Sequence, residues 1–242
     1  MSLLFVSAHL AAHQDKVMQR NDSFHMIDRG LPLHPGASNA PPLPGAAATP
    51  RARSTDRFDA SVWLGDLNYR IDGNRRVVEG LLAKADRAQA LAALRGNDQL
   101  NAARAQGLAF AGWSEGPLHF PPTYKFDPGT DDYDTGPKCR VPAWTDRVLY
   151  KSGSDDVRRS QTKTLRLLSY ESVPTLRVSD HRPVRAVFGL RLPDGPWGSR
   201  SSLADAAADG AAGAAPGADA AAEPESQPAL RDATNTQVCA IS

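Results

Sequence analysis

Cysteine is almost absent: Cys139 and Cys239 are the only two in 242 residues. Two thiols so far apart make no disulfide framework and no cysteine-rich zinc site, and they fit a reducing compartment. An excess of either charge is also absent. Twenty-eight Lys and Arg against 27 Asp and Glu leave a formal net charge of +1. A diffuse basic surface for nucleic acid is thereby excluded, and any anionic ligand must be held by local clusters. No apolar run approaches the ~18 residues of a membrane span. Met1–Leu10 has no basic stretch ahead of an apolar core, so no secretory leader is expected. A membrane would be met from the water side. What is present is a chain 41% hydrophobic, enough for one moderate domain and a tail.

The pattern along the chain predicts alternating elements. Leu3–Ser7 is a short apolar run that reads as a buried strand. Asp15–Asp28 places Val17, Phe24 and Ile27 on one helical face. Gly30–Pro50 is crowded with Pro, Gly and Ala, and a disordered insertion is expected near 30–57. Ser61–Leu64 reads as a strand closed by Gly65. Val77–Leu94 carries one helical stripe, Gly96 and Asn97 break it, and Gln99–Ala105 forms a shorter helix. Pro121–Pro142 reads as structured loops. Trp144–Tyr150, Lys163–Tyr170 and Pro183–Leu192 are strand candidates, the last alternating Val184, Ala186, Phe188 and Leu190 on one face. This order predicts an α/β sandwich rather than a helical bundle. From 193 to 242, Ala, Gly, Pro, Asp and Glu dominate, and a disordered tail is expected.

Three polar clusters stand out. In Trp63-Leu64-Gly65-Asp66-Leu67-Asn68, alternation puts Asp66 and Asn68 on one side of an extended segment. An Asp can take a proton from water, and an Asn can hold an oxygen without adding charge. The same residues would also suit an ordinary turn. Val178-Ser179-Asp180-His181-Arg182 offers an imidazole for a phosphoryl oxygen and an acid for a cation, with Asp146 as a partner for His181. A surface turn is the alternative. Tyr124, Lys125, Lys138 and Arg140 could grip several phosphates. Against that stand the balancing acids Asp127, Asp131, Asp132 and Asp134. His9 and His13 are four apart with no glutamate between them, so the zinc-protease pattern fails, and His9 is better placed as a phosphate contact. Cys139 has no second cysteine nearby and reads as a packed small apolar residue.

Five blocks, in this order, resemble the inositol polyphosphate 5-phosphatases, within the larger group that looks like DNase I and the abasic-site endonucleases. They are Phe5-Val6-Ser7-Ala8-His9-Leu10-Ala11-Ala12-His13, Trp63 to Ile71, Phe120 to Asp127, Lys138 to Leu149, and Ser179-Asp180-His181-Arg182-Pro183-Val184. The tryptophan-led Asp-x-Asn block and Pro-Ala-Trp-x-Asp-Arg separate this family from the nucleases. The resemblance covers about residues 3 to 192 and implies a DNase I-like sandwich of two β-sheets flanked by helices, incomplete at its N-terminus. It implies Mg²⁺-dependent removal of the 5-phosphate from phosphatidylinositol 4,5-bisphosphate, related phosphoinositides or inositol polyphosphates by direct attack of water. Asp66 would activate that water, and Asn68 would position the water or the phosphoryl oxygen. His181, held by Asp146, would stabilise the transferring group. Asp180 would support the metal, and His9 would contact the scissile phosphate. Tyr124, Lys125, Lys138 and Arg140 would hold the neighbouring 4-phosphate. Arg147 would be a brace.

The chain departs from that pattern at its start. Only Met1 and Ser2 precede the opening apolar run, where the family places further strands and its principal metal-binding Glu. An N-terminally truncated domain, unstable or inactive alone, is therefore expected. The alternative is a remnant that binds phosphoinositides or a protein without hydrolysis. The chain ends Cys239-Ala240-Ile241-Ser242, a prenylation signal whose terminal serine favours farnesyl. Expected partners are thus a phosphoinositide or inositol polyphosphate, a protein prenyltransferase and a membrane surface, with no nucleic acid and a monomeric chain. The expected location is the cytoplasmic face of a membrane, with a cytosolic pool.

Overall fold

A computed structural model describes residues 2–31, 53–152 and 165–190. Most of the expected insertion, the tail from 193 and Cys239, where prenylation is expected, lie outside the described residues. At the insertion's far edge the sequence reading is too broad. Ser54–Arg57 forms a 3-10 turn in which Thr55 is fully buried and donates its hydroxyl to Asp28 at 2.5 Å.

The described chain runs β1 (Leu3–Ser7), α1 (Val17–Gly30), β2 (Ala60–Asp66), α2 (Arg75–Leu82), α3 (Arg87–Gly96), α4 (Gln99–Ala105), β3 (Ser114–Glu115), β4 (Asp146–Ser152), β5 (Leu165–Ser172) and β6 (Val184–Leu190). Four strands form one sheet in the order β1-β2-β4-β3, and β5-β6 form a second. β1 lies parallel to β2, with Val6 opposite Trp63. β2 runs antiparallel to β4, which sets Asp66 opposite Asp146. The mixed α/β class expected from the sequence is the class observed.

Period-two alternation sorts β2 onto two cores. Trp63 is fully buried, with Val6 and Leu149, against Phe24 of α1, Leu100 and Ala103 of α4, and Phe110 and Trp113. Its ring lies 5.1 Å from Phe24, 5.2 Å from Phe110 and 5.8 Å from Trp113. Ala60, Val62 and Leu64 face the other way, toward Leu165, Phe188 and Leu190 of the second sheet. Burying each large side chain stabilises the fold by about 1.5–3 kcal/mol, so the sheet is pinned on both faces and its strand ends are fixed.

The stripe over Val77–Leu94 is broken rather than continuous. Ala83 closes α2, and Asp86 accepts the Gln89 N–H to open α3. Val78, Leu91 and Leu94 nonetheless reach the same core with Ile71 and Trp144, which is why the apolar rhythm runs through the break. A short acidic side chain at the N-cap outweighs the periodicity locally. β3 has only Ser114 and Glu115 and carries no alternation from which it could be read.

Candidate active site

The site begins where β1 and β2 leave their sheet together. Ala8 N–H donates to Leu64 O at 3.0 Å and Leu10 N–H to Asp66 O at 2.9 Å, so the chain beyond β1 runs beside Asp66. Gly65 makes this approach possible. Its φ is +120°, and a Cβ there would stand 2.3 Å from the Ala8 carbonyl oxygen. His9 Nε2 is thereby brought to 3.3 Å from Asp66 Oδ2. Beneath the loop, Arg20 is fully buried and donates to Ala11 O at 3.0 Å, His13 O at 2.6 Å and Gln99 Oε1 at 2.7 Å. Burial draws its guanidinium down to about 10.

Asn68 takes a left-handed φ of 56°, a conformation its short amide tolerates. The turn lets its N–H reach Asp66 Oδ1 at 3.0 Å. Its side chain is buried: Nδ2 donates to Leu10 O at 3.1 Å, and Oδ1 accepts from Arg70 at 2.5 Å. The amide is therefore anchored within the wall behind Asp66.

Across the sheet, Asp146 opens β4 and meets His181. The two lie 2.7 Å apart, Nδ1 to Oδ2, and the same Oδ2 accepts the Thr145 hydroxyl at 2.9 Å. A carboxylate only accepts, so Nδ1 carries the proton and Nε2 is left for the site. The Tyr124 ring lies 4.6 Å from the His181 imidazole. Burial pushes the Asp66 carboxyl up, and the neighbouring charge of Asp146 pushes it further. For His181, burial acts downward, but the hydrogen bond and charge of Asp146, then Asp66 and Asp180, outweigh it and hold the imidazole above its ordinary range. The result is a carboxylate made more basic beside an imidazole made easier to protonate. Such a pair can accept a proton from water and neutralise charge on a transferring group.

The predicted cation cluster is only partly assembled. Lys125 Nζ donates to Asp180 Oδ2 at 2.6 Å, and Phe126 N–H donates to Asp180 O at 2.8 Å. That bond raises Lys125; in Asp180 burial acts upward, but the lysine outweighs it and the carboxyl ends lower. The acid expected at the metal and the cation expected on a phosphate thus engage each other. Arg140 donates its backbone N–H to Asp134 at 2.8 Å, with its guanidinium 3.6 Å from the same carboxylate. Lys138 is exposed, on the same loop. Cys139 is exposed too, with φ 38°, which corrects the packed apolar role read from the sequence. A lone cysteine between two cations on a turn is presented to solvent by its neighbours' preference for water. Arg147 is the brace expected of it, fully buried between Asp98 at 3.0 Å and Glu115 at 2.6 Å.

His9, Asp66, Asp146 and His181 share the wall of one cleft of about 1190 Å³, which runs between the two sheets past the apolar Phe5, Val62, Leu64 and Phe188 and is also lined by Arg182 and Arg185. Thr145, Arg20 and Gln99 are parts of this site that the sequence reading missed. Thr145 is the variable position of Pro-Ala-Trp-x-Asp-Arg, which singles out no residue type there. Arg20 sits in a helix whose solvated face offers other charges of the same appearance.

A family profile described as Endonuclease/Exonuclease/phosphatase family 2 matches residues 1–187. The chain belongs to that family. Synaptojanin of Caenorhabditis elegans is 40% identical over 187 residues, which are 77% of this chain and 14% of that protein. Type IV inositol polyphosphate 5-phosphatase 11 of Arabidopsis thaliana is 39% identical over 193 residues, 79% of this chain and 49% of its own length. Among solved structures, the inositol polyphosphate 5-phosphatase domain of SPsynaptojanin, in complex with inositol (1,4)-bisphosphate and calcium ion, aligns with a TM-score of 0.59 at 40% identity. That alignment covers 75% of this chain and 45% of the solved one. The chain therefore spans no more than about half of these relatives. The resemblance read from the five blocks and the sandwich of two sheets are both matched by these family members.

Proposed function

We propose that this family member removes the 5-phosphate from inositol polyphosphates or phosphoinositides, including phosphatidylinositol 4,5-bisphosphate, by direct attack of water. The observation that carries this reading is the facing pair Asp66 and Asp146–His181 at the end of β2 and β4, with His9 3.3 Å from Asp66. In this reading Asp66 takes the proton of the attacking water. His181 Nε2 stabilises the transferring phosphoryl oxygens while Asp146 fixes the ring. His9 contacts the same group, and Tyr124, Lys125, Lys138 and Arg140 hold a neighbouring phosphate. Phosphoryl transfer depends on positioning and charge neutralisation, which is what such a wall supplies.

A divalent ion, Mg²⁺ by the sequence resemblance, belongs to the proposal, yet the described residues do not assemble a set for it. No group of three or more His, Cys, Asp or Glu side chains among them is arranged to hold a metal. Asp180, the expected ligand, is taken by Lys125. The same observation favours a second reading, in which the described residues bind the inositol phosphate without hydrolysing it.

Membrane attachment through a farnesyl group on Cys239, placing the protein at a cytoplasmic membrane face with a cytosolic pool, extends the proposal. It rests on the terminal tetrapeptide alone.

Phosphorus NMR of the chain with Mg²⁺ and inositol 1,4,5-trisphosphate, the substrate in the name of a relative 36% identical to this chain, tests the function. Loss of the 5-phosphate signal as orthophosphate grows is the expected result. Binding without loss selects the second reading. Loss of the 1- or 4-phosphate overturns both.

A further inference from the structure

Asp127, Asp131, Asp132 and Asp134 lie in the chain between Lys125 and Lys138, where their charge opposes a bound phosphate. The fold separates them. Asp127 accepts the Thr135 hydroxyl at 2.6 Å, Asp131 pairs with Arg177 at 2.6 Å, and Asp131 and Asp132 are exposed. Asp134 is buried, 3% exposed, and it is the one of the four whose own hydrogen bonds reach the cations. Its N–H donates to Lys125 O at 2.9 Å. Its carboxylate takes the Arg140 N–H at 2.8 Å on Oδ2 and the Gly136 N–H at 3.2 Å on Oδ1. Both flanks of Lys138 are thereby tied to the segment that carries Lys125. That segment is fixed in the site, because its Tyr124 bridges both Ala143 and His181. Arg75, at the start of α2, donates to Tyr133 O at 2.9 Å, to Asp134 O and to Arg140 O at 3.4 Å, and so closes the turn from behind.

Charge points the same way. The bond to Asp180 raises Lys125, while the nearby Arg140 cation acts against it. Gathering two cations before a phosphate arrives costs repulsion, which a carboxylate close to both offsets. The Arg140 guanidinium stands 3.6 Å from Asp134 Oδ2. In Asp134 burial acts upward, but the Arg140 and Gly136 N–H groups, then the charges of Arg140 and Lys125, outweigh it and hold the carboxyl below its ordinary range.

We propose that Asp134 is a positioning residue that sets which phosphate pattern the site takes. It holds Lys125, Lys138 and Arg140 in one array and so gives the site its preference for a ligand with a second phosphate beside the one at His181. The inference rests on the functional reading in which those cations hold a neighbouring phosphate. Asparagine at this position keeps the shape and one acceptor for the turn but loses the charge. Alanine loses both, and leaves the Arg140 and Gly136 N–H groups without their partner.

The test titrates the full chain, with no divalent ion added, with inositol 1,4,5-trisphosphate and with inositol 1,5-bisphosphate, which lacks only the 4-phosphate. Affinity is read by calorimetry and the His181 imidazole by NMR. The parent should prefer the trisphosphate. Asp134→Ala should weaken trisphosphate affinity at least about tenfold, equivalent to about 1.4 kcal/mol. It should leave bisphosphate affinity within about twofold of the parent, with His181 moving on binding as it does there. Asp134→Asn should lose about threefold of the preference. A fall shared equally by the two ligands marks a merely structural role and overturns the proposal, as does a preference that survives in Asp134→Ala. If Asp134→Ala does not fold, Asp134→Asn decides alone: an unchanged preference overturns it. If the parent takes both ligands equally, the neighbouring-phosphate reading fails and the proposal with it. If the parent binds neither, the functional reading fails entirely.

Discussion

Replacing Gly65 with alanine perturbs one atom and should disturb two elements. The new Cβ would lie 2.3 Å from Ala8 O and 3.2 Å from Ala8 C and N, all backbone atoms that cannot rotate away. Non-bonded heavy atoms rest at about 3.5 Å, so the chain beyond β1 must retreat by roughly 1 Å. Alanine at φ +120° also carries about 1–3 kcal/mol of backbone strain. The retreat stretches two hydrogen bonds, Ala8 to Leu64 at 3.0 Å and Leu10 to Asp66 at 2.9 Å. Each contributes about 0.5–1.5 kcal/mol. Strain and lost bonds together give a destabilisation of about 2–6 kcal/mol. With a urea slope of about 2 kcal/mol/M, the midpoint should fall by roughly 1–3 M. The same shift draws His9 away from Asp66, so the His9 imidazole resonances should move in the folded variant. A midpoint within ~0.3 M of the parent, with His9 unmoved, would refute the reasoning from close approach.

Other expected outcomes follow from neighbouring contacts. Arg147→Met leaves Asp98 buried without its cation and Glu115 with Arg104 alone, 3.4 Å away, and should cost about 3–5 kcal/mol in urea denaturation; a loss under 1 kcal/mol contradicts the brace. Asp146→Asn removes the group that holds His181 above its ordinary range. A raised histidine stabilises the fold below its unfolded value, and that stability is lost as pH rises through the folded value. The variant should therefore show a lower His181 titration by NMR and a flatter fall of stability from pH 6 upward; an unchanged midpoint contradicts the pairing. Cys239→Ser should move the protein from membrane to soluble fractions in cells, and an unchanged distribution removes the proposed anchor.

Strands and site acids were legible in the sequence because their signals are local. Leu3–Ser7 and Ser61–Leu64 read as apolar runs, and Gly65 follows the second with a conformation only glycine takes easily. The pairing of Asp146 with His181 was legible as a need of the imidazole, and the 2.7 Å contact meets it. What was not legible depends on contacts far apart in the chain. The break between α2 and α3 hides under an unbroken apolar stripe, since both helices bury onto Ile71 and Trp144. Lys125 and Asp180 each suit a phosphate or a metal by type, and only the fold reveals that they meet. Arg20 owes its role to Gln99, supplied by another helix, and Thr145 shows its role only once the neighbouring Asp146 is engaged by His181. The exposure of Cys139 follows from a turn whose φ its residue type does not announce.

In the proposed reading, residues from five separate segments face one inositol phosphate. Titrating the chain with inositol 1,4-bisphosphate, the ligand of the solved relative, while following the His9 and His181 imidazoles by NMR tests it directly. Both imidazoles should move along a single binding curve, and Lys125→Met should shift that curve to higher ligand concentration. Saturable binding that leaves both imidazoles where they were would contradict the account.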